Sequence, residues 1–450
     1  MSLPLLALDD LACGSRRAPP AFGIAGEAVT RLLAGPAASA GAEPYAAHVA
    51  RLGPPGHRRQ SPEELRSAVG ESGLLGRGGG EFPLSRKLDL AVMSPGDSIV
   101  VVNASEGEPA SRKDATLLEL RPHLVLDGAD AVAAAVGATE IVVYLHRGRS
   151  ATDRNVVRAL IERDRVPGAG ATRVRLVDAP DRYVAGEASA VVRFMSGGAP
   201  APRRTSLPPA ASGVGGRPTV VSNAETYAHV ALIARYGAAW FATAGSTGSP
   251  GSTLLTLAGD VAAPGTVVES LGPTTIGSIL SGPGGLAHPP VAVLIGGYSG
   301  SWVDGGVAWA TPLDRHALAN AGVRLGCGLV AVLGTGACGI AETARLLRWL
   351  AGESAGQCGP CAFGLPAIAD LAGMLADGRA RRSDVRELRR LAASVRGRGA
   401  CGHPTGVAEL VESALDTFAV ELRRHLGGRA CASAGAGFPL PQPASTWPRS

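Results

Sequence analysis

Short apolar runs alternate with helical segments in the first half of the chain. The runs at 98–102 and 140–145 are rich in β-branched residues, and 172–177 alternates apolar with polar positions. Apolar residues recur at helical spacing around 117–136 and 153–161. This alternation predicts a sheet of βαβ units covered by helices. Ligands of such sheets lie beyond the carboxyl ends of the strands, so the loop after the first strand is a candidate site.

The segment before this sheet has a weaker pattern. Residues 1–60 are rich in Ala, Gly and Pro, and we expect an irregular lead-in there. Ser61, Pro62 and Glu64 then form the pattern of a capping box with proline at the first helical position. A helix is predicted from this point to about Glu71.

The second half of the chain has a different pattern of apolar and polar residues. Residues 245–252 have the Gly, Ser and Pro composition of a linker. Beyond them, strands near 253–258, 265–268 and 291–295 and a short helix near 275–280 predict a small α+β domain.

The last part of the chain is predicted to be helical. Apolar positions such as Val385 and Leu388 recur at helical spacing, and Gly378 and Gly397 are predicted helix stops. We expect a helical bundle that ends near Leu426, followed by a disordered tail rich in Pro and Ser. The predicted organisation is a lead-in, an α/β domain, a small α+β domain, a helical domain and a tail, at 1–60, 61–245, 252–335, 336–428 and 429–450.

Composition narrows the class of protein. Hydrophobic residues make up 46% and charged residues 18% of the 450 residues, as in a globular protein of several domains. The net charge of +5 comes without a basic block interleaved with aromatics, so no nucleic-acid partner is expected. We find no apolar stretch of the ~20 residues that a membrane span needs, and no secretory signal. We expect a soluble cytoplasmic protein without direct membrane insertion.

A glycine-rich run carries the first candidate chemistry. Gly76–Pro83 contains four glycines, which let backbone N–H groups close on a phosphate, and Lys87 follows. Of 43 Lys and Arg residues, only Lys87 and Lys113 are lysines, a bias typical of a GC-rich genome. The two lysines are either left by chance or mark places where a guanidinium is not equivalent. The alternative is a plain loop in a glycine-rich protein.

Three further motifs follow predicted strands or precede predicted helices. Asn103, Glu106 and Glu108 lie directly after the first strand, with Lys113 and Asp114 beyond them. The alternative for this group is a solvated loop that leads into a capped helix. The motifs at 183–189 and 218–226 each look like a turn that leads into a helix N-terminus, where N–H groups favour an anion.

The most specific motif is built from cysteines. Cys358 and Cys361 form a C-x-x-C pair, and Cys401 follows after a predicted helical hairpin. Soft thiolate ligands at this spacing suit zinc or an iron–sulfur cluster, although three cysteines are one short of either tetrad. The alternative is two loop cysteines and one buried cysteine.

These motifs, in this order over about residues 61–425, resemble the family of the FMN-bearing, NADH-oxidising F subunit of respiratory complex I and its relatives in hydrogenases and formate dehydrogenases. The resemblance implies an α/β flavin-binding domain, a small β-grasp domain (ubiquitin-like, of SLBB type) and a C-terminal helical iron–sulfur domain. It also implies that NADH reduces FMN, and that electrons then pass singly through an iron–sulfur cluster to a partner.

The resemblance assigns roles to residues of this chain. Glu108 and Glu187 would lie near the reacting flavin ring, and Cys358, Cys361 and Cys401 would bind the cluster. The residues that would hold the flavin and nucleotide are Gly76, Gly78, Phe82, Lys87, Asn103, Glu106, Tyr183, Gly186, Asn223 and Thr226.

The chain also departs from the family pattern. Ala355 stands where the family has its first cluster cysteine, so the cluster is expected as [4Fe–4S] or [3Fe–4S] with three thiolates. Water, His403 or Cys338 would supply a fourth ligand, and zinc with His403 is the alternative metal. Ala188 and Thr205 replace an acidic and a basic residue on the nicotinamide side, which predicts weak or altered NADH binding. Smaller departures are Glu81, Ser105, Ala185, Ser222, Ser206 and Leu207.

The predicted function is therefore an oxidoreductase subunit that passes electrons from NADH through FMN and an iron–sulfur cluster to a partner protein or quinone. Its partners would be other electron-transfer subunits, a ferredoxin-like protein or a membrane redox protein. One alternative is an FMN and iron–sulfur module that does not bind NADH. The other is a structural subunit whose cofactor sites have decayed.

Overall fold

The computed structural model describes residues 30–147, 150–170, 172–282, 285–286, 288–431 and 440–443. Its first sheet is parallel and four-stranded, in the order β3-β2-β1-β4. The strands are β1 (Ser98–Asn103), β2 (Ala138–Leu145), β3 (Arg173–Asp178) and β4 (Thr219–Asn223). The first three confirm the predicted runs. The motif at 218–226 was expected to be a turn, and the structure corrects this to a buried strand that leads directly into a helix.

Eight helices accompany this sheet: α1 (Tyr45–Leu52), α2 (Pro62–Glu71), α3 (Leu84–Met93), α4 (Lys113–Leu120), α5 (Pro122–Val136), α6 (Ala151–Asp164), α7 (Ala188–Met195) and α8 (Ala224–Ala242). The capping box of α2 is confirmed, since Ser61 Oγ accepts from the Glu64 N–H at 3.2 Å while Glu64 Oε2 accepts from the Ser61 N–H at 2.7 Å.

Two predictions for this region are corrected. The apolar stretch at 117–136 is split between α4 and α5, because Pro122 has no N–H and pushes Arg121 to a non-helical φ of −131°. The lead-in at 1–60 contains α1, while residues 1–29 lie outside the described part of the chain. Buried Arg121 ties this lead-in to the sheet domain, since its guanidinium donates to the Ala34 carbonyl at 2.7 Å.

A second sheet follows in the order β10-β9-β11-β7-β8. Its strands are β7 (Thr253–Gly259), β8 (Thr266–Ser270), β9 (Ala292–Ile295), β10 (Ser301–Asp304) and β11 (Leu329–Leu333). The sequence pattern predicted the first three and missed the last two. Short helices cover it: α9 (Ile276–Leu280), α10 (Gly305–Ala310) and α11 (Arg315–Asn320). The predicted linker at 245–252 contains a small hairpin of β5 (Gly245–Ser246) and β6 (Ser249–Pro250).

The last part is helical, as predicted: α12 (Gly339–Gly352), α13 (Leu365–Ala376), α14 (Arg382–Val395), α15 (His403–Thr417) and α16 (Ala419–Leu426). Gly378 and Gly397 both have a φ of +69° just past helix ends, which confirms them as stops. The prediction of a disordered tail is wrong for residues 440–443, since Leu440 is buried in the helical core. Among the described residues, the helices are too short or too polar to cross a membrane.

Candidate functional site

Strands β1 and β4 end side by side, and this brings two asparagines together. Asn103 is the register partner of Asn223. Asn103 Nδ2 donates to the Gly186 carbonyl at 2.7 Å, and Asn223 Nδ2 donates to the Asp114 carboxylate at 3.0 Å. Asn103 therefore fixes the segment at Gly186, and Asn223 fixes the start of α4, both at the carboxyl edge of the sheet, where the topology predicts a ligand site.

The glycine-rich loop lies against the same edge. The Arg77 N–H donates to Thr226 Oγ1 at 2.9 Å, and the Gly76 N–H donates to the Phe82 carbonyl at 2.9 Å. A methyl group added at Gly78 would lie 3.7 Å from the Asn223 side chain, so the loop backbone approaches the strand end closely. The structure therefore gathers four of the predicted cofactor residues, Gly76, Gly78, Asn223 and Thr226, at one edge.

Lys87 lies on α3, beneath this edge. Its ammonium donates to the Val221 carbonyl at 2.7 Å and lies 3.4 Å from Ser222 Oγ. Burial lowers the pKa of Lys87 to about 8, because little around the ammonium replaces its water shell. Ser222, a departure from the family pattern, thus supplies a polar neighbour to this lysine.

The other lysine, Lys113, forms the centre of a buried charge network. Its Nζ lies 3.0 Å from an Asp114 oxygen and 2.9 Å from Glu225 Oε2. These two carboxylates, with that of Glu106, hold the pKa of Lys113 above its ordinary value against the effect of burial. Glu225 also accepts from the Leu254 N–H at 3.0 Å, so the network joins the two sheets. Sequence reasoning gave Glu225 no role, although the rarity of lysine pointed to its partner.

Glu106, a predicted cofactor residue, is placed as a helix cap. Its carboxylate accepts from Ser111 Oγ at 2.7 Å and from the N–H groups of Asp114 and Ala115 at 3.2 and 3.0 Å. Both oxygens are thus engaged at the N-terminus of α4, where a negative charge is favourable. Burial raises the pKa of the Glu106 carboxyl.

Glu108 connects the first sheet to the second. Its Oε1 accepts from the Tyr298 N–H at 3.1 Å, and its Oε2 lies 3.4 Å from the Tyr183 hydroxyl. Cys327 Sγ lies 3.8 Å from the same oxygen. Burial raises the pKa of the Glu108 carboxyl to about 8, so the group is mostly protonated at neutral pH. The sequence patterns carried no signal for Tyr298 or Cys327 as neighbours.

The segment Tyr183–Glu187 lies between the strand ends and the helical part of the chain. The Tyr183 N–H donates to Glu353 Oε2 at 3.1 Å, and its ring packs edge-on against Trp349 at 5.3 Å between centroids. Glu187 caps α7, accepting from the N–H groups of Ser189 and Ala190 at 2.9 and 3.2 Å. The predicted residues Tyr183, Gly186 and Glu187 therefore form one layer between the strand ends of the first sheet and the helical part of the chain.

The three predicted metal ligands lie in one neighbourhood on the far side of this layer, close enough for their thiols to influence one another, although their donor atoms are not all within 4.8 Å of each other. Cys358 comes from a turn and Cys361 from the short π-helix that follows it (Pro360–Gly364), and we call residues 357–361 the cysteine turn. Cys401 comes from the loop before α15. Burial raises the pKa of the Cys361 thiol, and the neighbouring Cys358 thiol raises it further. Burial also raises the pKa of the Cys401 thiol to about 11, with smaller contributions from Glu187 and Cys358. Gln357 anchors this turn to the sheet domain, accepting from Arg193 Nη1 at 3.1 Å.

The two proposed protein candidates for a fourth cluster ligand have different surroundings. His403 Nε2 lies 2.9 Å from the Leu350 carbonyl, and its buried Nδ1 has no hydrogen-bond partner within the described residues. Since a carbonyl only accepts, the proton is on Nε2 and Nδ1 carries a lone pair. Cys338 does not join the three predicted ligands but lies 3.3 Å from His425 Nε2 in a separate group with Cys431. The suggestion that Cys338 ligates the cluster is therefore wrong.

A cavity of about 740 Å³ opens beside α7. Arg193, Arg203 and Arg204 line it together with Thr205 and Ser189. Although the family's basic residue is absent at Thr205, three arginines still line the cavity, so the cavity suits an anionic ligand.

The residues present fit both implied cofactors. The glycine loop presents open backbone beside Asn223, and the buried Lys87 ammonium lies behind the same strand end, as a phosphate-bearing flavin requires. Cys358 and Cys361, with Cys401 from the loop before α15, supply three neighbouring soft sulfur donors, and such donors suit an iron–sulfur cluster.

Comparisons with protein families agree with this arrangement. The model of the Nuo51 FMN-binding domain matches residues 69–232, and that of the NADH-ubiquinone oxidoreductase-F iron-sulfur binding region matches residues 341–425. The first match contains the glycine loop and the strand ends, and the second contains Cys358, Cys361 and Cys401.

Comparisons over most of the chain point to the same family. The F subunit of NADH-quinone oxidoreductase from Streptomyces coelicolor is 31% identical over 82% of this chain and 85% of that protein. The HndC subunit of the NADP-reducing hydrogenase of Solidesulfovibrio fructosivorans is 29% identical over 82% of this chain and 78% of that protein. The crystal structure of an NAD⁺-reducing [NiFe]-hydrogenase in the air-oxidized state matches with a TM-score of 0.78 and 28% identity, covering 91% of this chain and 68% of that one.

Proposed function

This chain belongs to the family of NADH-quinone oxidoreductase F subunits, and from that premise we propose that it takes electrons from NADH and passes them through FMN and an iron–sulfur cluster to a partner protein. It is an electron-transfer oxidoreductase subunit with a mixed α/β fold and a helical C-terminal region. We assign the finer domains as an α/β flavin domain at 61–245, a β-grasp domain of SLBB type at 252–335 and a helical cluster domain at 336–428.

One observation carries this proposal: the segment Tyr183–Glu187 bonds to a flavin-side residue and packs on the helical region that supplies the cysteines, where the centroid of the Tyr183 ring lies 5.4 Å from that of His403. Asn103 Nδ2 donates to the Gly186 carbonyl at 2.7 Å on one side. On the other side, the charge of Glu187 acts on the Cys401 thiol. A single short layer between the two sites is the arrangement that electron transfer between two cofactors needs.

The flavin would be held by backbone and by a few buried polar groups. The N–H groups of Gly78, Gly79 and Gly80 and the Lys87 ammonium would bind its phosphate, and Asn103 and Asn223 would orient its ring. When bound, FMN supplies conversion of a two-electron hydride into single electrons. Glu106, engaged at the N-terminus of α4, would support this site indirectly.

Glu108 would hold a proton beside the reacting ring. Its pKa of about 8 keeps the carboxyl mostly protonated at neutral pH, and Oε2 lies 3.4 Å from the Tyr183 hydroxyl and 3.8 Å from Cys327 Sγ. A neutral carboxyl beside the ring avoids repulsion of an anionic hydride donor. Glu187, with its charge directed to the N-terminus of α7, would orient the segment that separates the two cofactors.

NADH is proposed as the donor because the arginine-lined cavity beside α7 offers charge partners for its phosphates. The departures Ala188 and Thr205 favour a second candidate function, an FMN and iron–sulfur module that receives electrons from a protein instead. The electron acceptor would dock near the cysteine turn, where the Phe363 side chain is 79% exposed.

Anaerobic purification with flavin and iron analysis, followed by NADH titration, tests the proposal. We expect about one FMN and three to four irons per chain, and bleaching of the flavin absorbance by NADH. Flavin and iron without bleaching would favour the module that receives electrons from a protein. Protein without flavin or iron would contradict the proposal and favour a structural subunit.

A further inference from the structure

A second group of sulfur and nitrogen donors lies at the opposite end of the helical domain. Cys338 precedes α12, His425 is in the last turn of α16, and Cys431 follows α16. One donor atom from each lies within 4.8 Å of the others. The matched iron–sulfur region ends at residue 425, so Cys431 is outside it.

The imidazole of His425 has a defined tautomer. Its Nδ1 lies 3.0 Å from the Leu375 carbonyl, which only accepts, so Nδ1 carries the proton and Nε2 carries a lone pair. Metal-binding histidines are commonly oriented by such a bond from their other nitrogen to a backbone carbonyl. His425 is fully buried, so the orientation is fixed.

Too many donors compete for the Nε2 lone pair. Cys338 Sγ lies 3.3 Å from it, Cys431 Sγ 3.2 Å and the Cys431 amide nitrogen 3.4 Å. A single lone pair cannot accept from two thiols and an amide at once, and the Cys338 thiol also bonds with that of Cys431, so both sulfurs and the nitrogen face one common point. A cation at this point would instead use the lone pair and both sulfurs.

We infer that Cys338, His425 and Cys431 bind one zinc ion. Zn–S bonds of about 2.3 Å and Zn–N bonds of about 2.0–2.1 Å imply tetrahedral S···N separations of about 3.6 Å, and the observed 3.3 and 3.2 Å need only small adjustments. Binding removes one proton from each thiol, so two protons leave as Zn²⁺ enters and the buried site stays neutral.

The fourth position belongs to water. Cys431 is half-exposed, which gives solvent a route to the ion. Glu421, whose charge acts on the Cys338 thiol, already accepts from the Gly339 N–H at 3.0 Å at the start of α12. The ion would tie α12 and α16 to the segment after α16.

This zinc site anchors the C-terminal segment. Beyond Cys431, the Leu440 carbonyl accepts from Arg345 Nη1 at 3.2 Å and the Pro443 carbonyl from Trp349 Nε1 at 2.9 Å. Trp349 packs in turn on Tyr183. A fixed Cys431 would therefore help to hold residues 440–443 against α12, next to the layer between the two proposed cofactors. Zinc binding itself does not depend on either cofactor.

The inference is tested by counting zinc and iron in the full chain. The protein is purified anaerobically and exchanged against buffer with Zn²⁺ and then without it. We expect about one zinc per chain in the unmodified protein. Cys431→Ser should lower zinc affinity by at least about 100-fold and leave the iron count unchanged, because a thiolate ligand is lost. Cys401→Ser is the matched control, and it should lower iron and leave zinc unchanged.

Co²⁺ provides a second readout that does not depend on the iron site. In the Cys401→Ser protein it should give thiolate-to-cobalt absorption that disappears in Cys401→Ser/Cys431→Ser. Equal zinc in the unmodified and Cys431→Ser proteins would overturn the inference. So would a Cys338–Cys431 disulfide in freshly prepared anaerobic protein, detected by mass spectrometry after alkylation.

Discussion

The strand-end site and the cysteine turn are held in place in different ways. At the strand ends, Asn103, Asn223 and Lys113 each bond to side chains or carbonyls from other elements inside the protein. The cysteine turn is partly exposed, and Gln357 joins it to the sheet domain through Arg193 and the Pro202 carbonyl. The departures from the family pattern also differ between buried and exposed positions.

Where the departure inside the buried site is a serine, its hydroxyl keeps a polar contact, whereas the buried Ala185 offers none. Ser105 Oγ donates to Asn103 Oδ1 at 2.9 Å, and Ser222 Oγ lies 3.4 Å from Lys87 Nζ. At the half-exposed Ala355 and the exposed Thr205, the polar group of the family is replaced or lost outright. Burial makes an unpaired polar group costly, whereas solvent replaces a lost partner at the rim.

The largest effect is expected from Lys113→Met. Removing the ammonium leaves Asp114 and Glu225 as buried carboxylates without their cation, which costs about 3–5 kcal/mol of unfolding free energy. Urea unfolding measures this loss. Arg389→Met, which breaks a pair with Asp416 at the surface, is the control and should change the unfolding free energy by less than about 0.5 kcal/mol. Equal effects of the two substitutions would contradict the distinction between buried and exposed charges.

A large spectroscopic effect is expected from Ala355→Cys. Restoring a fourth thiolate should raise bound iron to about four per chain and replace any [3Fe–4S] EPR signal with that of a reduced [4Fe–4S] cluster. Ala393→Cys, an added cysteine on the exposed face of α14, is the control and should leave both unchanged. Unchanged iron and EPR spectra in Ala355→Cys would show that this position does not face the cluster.

A smaller effect is expected from Lys87→Met. Loss of the ammonium should weaken FMN binding about 10–100-fold at pH 7, the range of one hydrogen bond to a charged group. Because Lys87 has a pKa of about 8, its charge is present below pH 8 and lost above it. FMN affinity of the unmodified protein should therefore fall as pH rises through about 8, by at most tenfold per pH unit.

Fluorescence titration of apoprotein with FMN at several pH values measures both effects of Lys87. Arg86→Met removes a neighbouring exposed charge and should leave the affinity and its pH dependence nearly unchanged. If the Lys87→Met protein keeps the pH dependence of the unmodified chain, this lysine is not part of the flavin site.

The smallest effect is expected from Thr205→Lys. The cavity already contains Arg193, Arg203 and Arg204, so another cation at its exposed rim should tighten NADH binding by less than about tenfold. Thr205→Gln adds length without charge and should have no effect on the dissociation constant. A gain of several hundredfold with lysine alone would mean that the three arginines do not contact the nucleotide.

The sequence by itself determined the local elements and the residues that carry chemistry. Periodicity predicted β1, β2 and β3, and the capping box predicted the start of α2, because these features depend on neighbours in the chain. The C-x-x-C pair and the glycine loop pointed to the two cofactors through residue type and spacing alone. Of the residues to which the family resemblance assigns flavin roles, Gly76, Gly78, Asn103, Asn223 and Thr226 lie together at the strand ends.

Only the tertiary structure decided which polar groups meet. Glu225 with Lys113, Glu108 with Tyr298, and Cys338 with His425 are pairs separated by 87 to 190 residues. Such contacts depend on how sheets and helices pack, and local sequence patterns carry no record of them. The same packing buried Leu440 in the helical core, because the removal of an apolar side chain from water depends on the folded surface.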